Sequence, residues 1–204
     1  MNGGLALDID ETLAWTAGHL FELMRTKFGN PHPKLTVERQ VEKYRYTWNV
    51  PIWDTYEARK WIQQQLCLED FSIGVKPIPS AAKYVAKIAE VVPLSSYLTS
   101  SPDQAHNVTK EWLGEHGFPE LPIIMRDEEH RFEDRYAWKA DVLRRFRATM
   151  LGLVDDDLSI LEHLPPDYKG QLFFLGHKKI PKTKFNAHAC PDWKEVYEKV
   201  KKVF

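Results

Sequence analysis

Apolar positions along the chain follow two regimes. At the start, and again from about residue 80 onward, short apolar runs alternate with stretches of helical spacing; between them the alternation is missing. Gly4 to Leu7 reads as a short buried strand ending at Asp8. Leu20, Leu23, Met24 and Phe28 then recur at helical spacing, predicting a helix over about 13–28, which Asn30-Pro31-His32-Pro33 breaks. An aromatic-rich polar stretch follows, with another helix over about 54–66. Gly74, Pro77 and Pro79 close the region.

Beyond it the pattern becomes regular. Helices are predicted over 80–90, 101–117, 138–147 and 193–203, and strands over 91–98, 121–125, 150–154 and 172–175. The helix over 101–117 has defined ends: Ser101 as N-cap, Pro102 in the first turn, Gln104 at capping-box spacing, then Gly117, Phe118 and Pro119 as a stop signal. Such alternation predicts an α/β protein with a Rossmann-like parallel sheet covered on both faces. Residues 1–14 and 76–204 form that core, and residues 15–75 a small, mainly helical insertion after the first strand.

Composition narrows the classes. The 204 residues suffice for one core and an inserted lobe, and a formal net charge of −1 argues against a nucleic-acid-coating or membrane-surface protein. No apolar run approaches the roughly 20 residues of a membrane span. Nothing resembles a signal peptide. The two cysteines, Cys67 and Cys190, form no disulfide framework or metal pair and read as buried small hydrophobes. A reduced, cytoplasmic setting follows.

Chemistry is expected where open α/β sheets bind ligands, beyond the carboxyl ends of the strands. Asp8, Asp10 and Thr12 follow the first strand, Thr99, Ser100 and Ser101 the second, and Asp155, Asp156 and Asp157 the strand over 150–154. Crowded carboxylates repel and lose hydration, so a hard cation with oxygen ligands is implied, and Mg²⁺ suits carboxylates plus a phosphate. Thr99 and Ser100, where a strand turns toward a helix, suit that phosphate. Lys139 shares a helix face with Val142, Leu143 and Phe146, lies just upstream of the acidic strand end, and reads as a group reaching the same cleft rather than a snorkelling surface lysine.

These residues resemble the haloacid dehalogenase (HAD) superfamily. DIDET matches its DxDx(T/V) motif, Thr99 its second motif, Lys139 its third and the acidic run after LGLV its fourth, in order along the whole chain, with the insertion where that family places a helical cap. The resemblance implies Asp8 as nucleophile, Asp10 as general acid and base and as a metal contact through its carbonyl, Thr99 and Lys139 on the phosphoryl oxygens, and Asp155 with Asp156 on Mg²⁺. An aspartate at position 10 favours phosphate esters over carbon–halogen bonds. Asp157 is expected to cap the following helix, and Thr12 is either the hydroxyl of the motif's end or a helix-start cap.

Two departures stand out. Relatives often carry TGRP or TSRP after the second strand, where this chain has Thr99-Ser100-Ser101-Pro102, without a basic residue. The fourth motif has three consecutive aspartates, Asp155, Asp156 and Asp157, so that more than one pair could face the metal; Asp155 and Asp156 are chosen because they come first after the strand. Tyr44, Tyr46, Trp48, Trp53, Tyr56 and Trp61, with Arg45, Arg59 and Lys60 among them, make the insertion a candidate for stacking on a base or holding a sugar phosphate. The expected activity is a Mg²⁺-dependent phosphomonoesterase acting on a small phosphorylated metabolite or nucleotide. A phosphotransferase with the same site, a receiver-type signalling domain and a non-catalytic phosphate- or Mg²⁺-binding scaffold are the alternatives.

Overall fold

In the computed structural model, which describes residues 3–66, 68, 71, 74–127 and 129–204, every strand of the sheet is parallel to its neighbours. The strands are β1 (Gly4–Leu7), β2 (Leu94–Pro102), β3 (Ile123–Arg126), β4 (Met150–Asp155), β5 (Gln171–Leu175) and β6 (Asn186–Cys190), in spatial order β3-β2-β1-β4-β5-β6. The order reverses between β1 and β4, so their carboxyl ends flank the crevice where open sheets bind ligands. On its other side, β4 pairs closely with β5 through a glycine: a Cβ on Gly152 of β4 would stand 2.2 Å from the Gln171 carbonyl oxygen of β5.

Period-two alternation sends each strand's side chains to two separate apolar layers. Leu5, Leu7, Val154, Phe173 and Leu175 pack with Val85 and Ile88 of α4 (Ala81–Ala89) and with Trp193, Val196 and Val200 of α7 (Trp193–Val203). Ala6, Leu98, Leu153, Leu172 and Phe174 face the other way, against Trp138, Val142 and Leu143 of α6 (Arg135–Arg145). Helix α7 begins where the sequence places it because the Asp192 carboxylate accepts from the Glu195 amide at 2.9 Å. The remaining core helix, α5 (His106–Glu115), ends as expected: Gly117 takes φ +73°, and the Phe118 amide reaches back to the Leu113 carbonyl at 3.0 Å.

Its start differs from expectation. Strand β2 runs on to Pro102, a short 3₁₀ turn covers Asp103–Ala105, and Ser101 therefore caps no helix. Among the described residues one strand and one α-helix were not predicted. Strand β6 (NAHAC) carries too little apolar signal, being an edge strand with only Cys190 fully buried. Helix α2 (Val37–Tyr44) is polar except for one stripe and starts at Thr36, whose hydroxyl accepts from the Arg39 amide.

Between β1 and β2 the chain leaves the sheet for α1 (Thr16–Phe28), α2 and α3 (Tyr56–Gln65), which share an apolar cluster of their own containing Leu20, Phe21, Met24, Val50, Trp53 and Ile62. Exit and return run side by side: the Trp15 amide donates to the Lys76 carbonyl at 2.8 Å, and the Ile78 amide to that of Leu13 at 2.7 Å. Cys190 is buried and unpaired, its thiol pushed up to about 12 by burial, while Cys67 lies outside the described residues.

Candidate active site

Asp8 extends the ladder by one residue, its amide donating to the Val154 carbonyl at 2.9 Å, and this fixes its carboxylate at the sheet's reversal point. The chain then folds back in a tight loop: the Leu13 and Ala14 amides both donate to the Ile9 carbonyl, and Glu11 takes φ +57°. That loop swings Asp10 across to the end of β2. Its Oδ1 accepts from Thr16 Oγ1 at 2.7 Å, and its Oδ2 from Ser101 Oγ at 2.8 Å and Thr99 Oγ1 at 3.2 Å. The Thr99 and Ser101 hydroxyls, among the last residues of β2, thus orient a carboxylate. Ser101 does this in place of capping, and Thr12 is no helix-start cap, since α1 begins four residues later and the Thr12 hydroxyl is buried without a partner among the described residues. Glu11 serves the start of α1 instead, accepting from the Ala17 amide at 2.5 Å, while burial pushes its carboxyl up to about 7.

Lys139 reaches inward from α6. Its Nζ lies 2.8 Å from Asp8 Oδ1 and 2.8 Å from Asp155 Oδ2, and the three residues are 4%, 3% and 2% exposed. Burial alone would drive the ammonium toward its neutral form; Asp155 and Asp8 outweigh it and hold the charge. Lys139 is thus no snorkelling surface residue. Asp155 Oδ1 accepts from the Asp157 amide at 2.8 Å.

One ammonium does not balance this site. Asp8, Asp155 and Asp156 bring carboxylate oxygens within 4.8 Å of one another. Burial, reinforced by neighbouring carboxylates, raises the Asp8 and Asp156 carboxyls well above the ordinary range, against the pull of Lys139 on Asp8 and of Arg45 on Asp156. Oxygen-only donors with uncompensated negative charge fit a hard divalent cation such as Mg²⁺. Asp157 faces elsewhere: Oδ1 accepts from the Ser159 amide at 3.0 Å, capping a 3₁₀ turn over Leu158–Glu162, and Oδ2 accepts from the Tyr46 hydroxyl at 3.0 Å and from that of Tyr136. Those bonds offset burial and keep its carboxyl below the usual range.

The acids open into a cavity of about 660 Å³. Ser100 and Lys139 line it on the core side, whereas the buried Thr99 hydroxyl stays on Asp10. From the inserted segment come Tyr46 and Trp48, stacked with centroids 4.6 Å apart, and Phe132 meets Trp48 edge-on. Trp53 and Arg59 also line the cavity, whereas Tyr44, Tyr56 and Trp61 do not. Trp53 is buried, donating to the Gly29 carbonyl; Trp61 packs on Phe28 and Tyr44 on His32; Tyr56 is exposed. Arg59 pairs with Asp54, and Lys60 is exposed. Sequence reasoning missed Tyr136, although its position one turn before Lys139 puts both on one helix face, and missed the bonds of Arg45 to Asp156, which span 111 positions and leave no local signal.

No known family profile and no curated protein matches this sequence. Solved structures do. A HAD-superfamily hydrolase of subfamily IA from Geobacter sulfurreducens aligns over 98% of both chains at TM-score 0.56 and 9% identity. The chain has the haloacid dehalogenase fold. A putative HAD-hydrolase from Bacillus subtilis, bound to magnesium, aligns over 98% of both chains at TM-score 0.54 and 12% identity, and a putative beta-phosphoglucomutase from Thermotoga maritima over all of both at 0.52 and 17%. At these identities the likeness is one of fold. Within this HAD fold, Asp8 and Asp155 end the two strands flanking the sheet's reversal, and Lys139 bridges them.

Proposed function

We propose that the chain is a Mg²⁺-dependent phosphomonoesterase working through an aspartyl-phosphate on Asp8. The observation that carries this reading is the buried Asp8–Lys139–Asp155 bridge at the carboxyl ends of β1 and β4, with a second carboxylate, Asp10, two residues on. In the first displacement an Asp8 carboxylate oxygen attacks phosphorus, the bond from phosphorus to the ester oxygen breaks, and Asp10 gives that oxygen a proton. In the second, Asp10 takes a proton from water as the water oxygen attacks phosphorus, and the bond to Asp8 breaks, releasing inorganic phosphate. Lys139 steadies charge on Asp8 and the phosphoryl oxygens, Ser100 completes the phosphate site from the cavity wall, and the Thr99 hydroxyl, expected there from the sequence, orients Asp10 instead. Asp8, Asp155, Asp156 and the Asp10 carbonyl would hold Mg²⁺, which supplies charge neutralisation at the phosphoryl group.

Residues 15–75 act as a cap domain over residues 1–14 and 76–204, with the Tyr46–Trp48 stack against the leaving group, and this supports a small phosphorylated metabolite, nucleotide or sugar phosphate as substrate. Among the described residues no helix is long and apolar enough to cross a membrane; the cytoplasmic setting proposed for the enzyme rests on its cysteine usage, with Cys190 buried as a free thiol. Phosphate release from nucleotides, sugar phosphates and an aryl phosphate, with Mg²⁺ and with chelator, tests the reading. Chelator-sensitive release is expected; none from any ester by folded, metal-loaded protein would reject hydrolysis.

A further inference from the structure

Arg45 sits at a strained point of the chain. It occupies the centre of a γ-turn with φ +63° and ψ −50°, closed by the Tyr46 amide donating to the Tyr44 carbonyl at 2.7 Å. A non-glycine residue is rare and strained in that conformation, and such strain persists where surrounding contacts hold it. The contacts here lead to the far side of the cavity. Arg45 Nη2 donates to Asp156 Oδ2 at 3.0 Å and to the Asp156 carbonyl at 2.8 Å, and Nε donates to the Tyr46 hydroxyl, which itself donates to Asp157. His177 Nε2 lies 2.7 Å from the same carbonyl oxygen.

We propose that Arg45 is a positioning residue for the cation site: reaching out of the inserted segment, it holds Asp156 at two points and makes tight divalent-cation binding depend on the segment being docked over the strand ends. This rests on the Mg²⁺ reading given above. A common pattern supports it, for each carboxylate of the acid cluster gives one oxygen to a protein cation: Asp8 Oδ1 and Asp155 Oδ2 to Lys139, Asp156 Oδ2 to Arg45. Asp8 and Asp156 each keep a second oxygen, Asp155 Oδ1 accepts one backbone amide and has a further lone pair, and three carboxylates against two cations leave net negative charge for the metal. Lys139 belongs to the sheet's own helix layer. Arg45 does not, so the third carboxylate is oriented only while the segment is in place. Partners of this kind, which hold a metal's ligands without touching the metal, typically change affinity 10- to 100-fold when removed. Linkage then requires the reverse effect: a cation on Asp156 stabilises the docked segment.

The test is calorimetric titration of Mg²⁺ into the full chain, as wild type, Arg45→Met and Arg45→Lys, with hydrogen exchange read over residues 37–53. The expected result is a Kd for Arg45→Met raised about tenfold or more, with Arg45→Lys between, because the ammonium keeps the charge but not the planar fork. Mg²⁺ should slow exchange over 37–53 in the wild type and not in Arg45→Met, which a merely structural role for Arg45 would not produce. Folded Arg45→Met binding Mg²⁺ as tightly as wild type overturns the proposal while leaving the phosphatase reading intact. If Arg45→Met does not fold, wild-type affinity in Arg45→Lys overturns it equally. Wild type that binds no Mg²⁺ overturns both.

Discussion

The strand ends and the inserted segment meet at one cavity but are built differently. At the strand ends charge is buried among fixed partners, with Lys139 and two carboxylates almost fully removed from water and held by a sheet whose layers are apolar on both sides. The segment buries mostly aromatic and aliphatic side chains in its own cluster and reaches the strand ends through half-exposed groups, Arg45 and Tyr46. Under the proposed function, chemistry belongs to the strand ends, while recognition and coupling belong to the side whose polar contacts are weaker.

Substitution should separate the two regions, and the largest effect belongs to the strand ends. Asp8→Asn should lower turnover by at least about 1,000-fold, as loss of a nucleophile does, with the circular dichroism spectrum unchanged; near-normal turnover in folded protein would break the division. Lys139→Met should cost about 3–5 kcal/mol of unfolding free energy, because it strands two buried carboxylates, and Mg²⁺ should recover part of that in denaturant titrations. A loss below about 1 kcal/mol, the range of exposed ion pairs, would mean that the bridge is not buried as described.

Changes on the segment should be milder and of another kind. Trp48→Ala removes the outer face of the Tyr46–Trp48 stack, and we expect KM to rise several-fold with kcat nearly unchanged in steady-state kinetics. An equal fall in kcat would move Trp48 into the chemical step.

The smallest effect expected lies away from both regions. Burial, helped by Lys199, holds the His188 imidazole below its ordinary value of 6.5. The unfolded chain therefore binds that proton more readily, so this contribution to stability is present above pH 6.5 and is lost as pH falls through the lowered folded value. On acidification the melting temperature of the wild type should fall relative to that of His188→Gln; only this difference reports His188, because Glu11, Asp8 and Asp156, raised by burial, favour the folded state at lower pH in both proteins. His19, also lowered by burial, remains in both proteins and leaves the difference specific to His188.

The same contrast decides what the sequence discloses. Strands β1, β4 and β5 are legible because a parallel sheet buried on both faces requires continuous apolar runs, and Asp8, Lys139 and Asp155 because charge beside such runs is costly without a use. Helix α7 is legible because Asp192 and a stripe of Trp193, Val196 and Val200 mark it locally. The start of α5 was misread because Ser101-Pro102 carries capping chemistry, whereas β2 is extended by pairing with β3 at Pro102 and Arg126. The roles of Arg45 and Tyr46 come from tertiary docking, and only the folded chain brings them to Asp156 and Asp157.

In the proposed mechanism Asp8 takes the phosphoryl group. Acid quench during turnover of a substrate found in the ester panel, followed by peptide mass analysis, tests it directly. A labile phosphoryl group is expected on the peptide containing Asp8, absent in Asp8→Asn; steady turnover with that peptide unmodified, or with the group on another residue, would rule out Asp8 as the nucleophile.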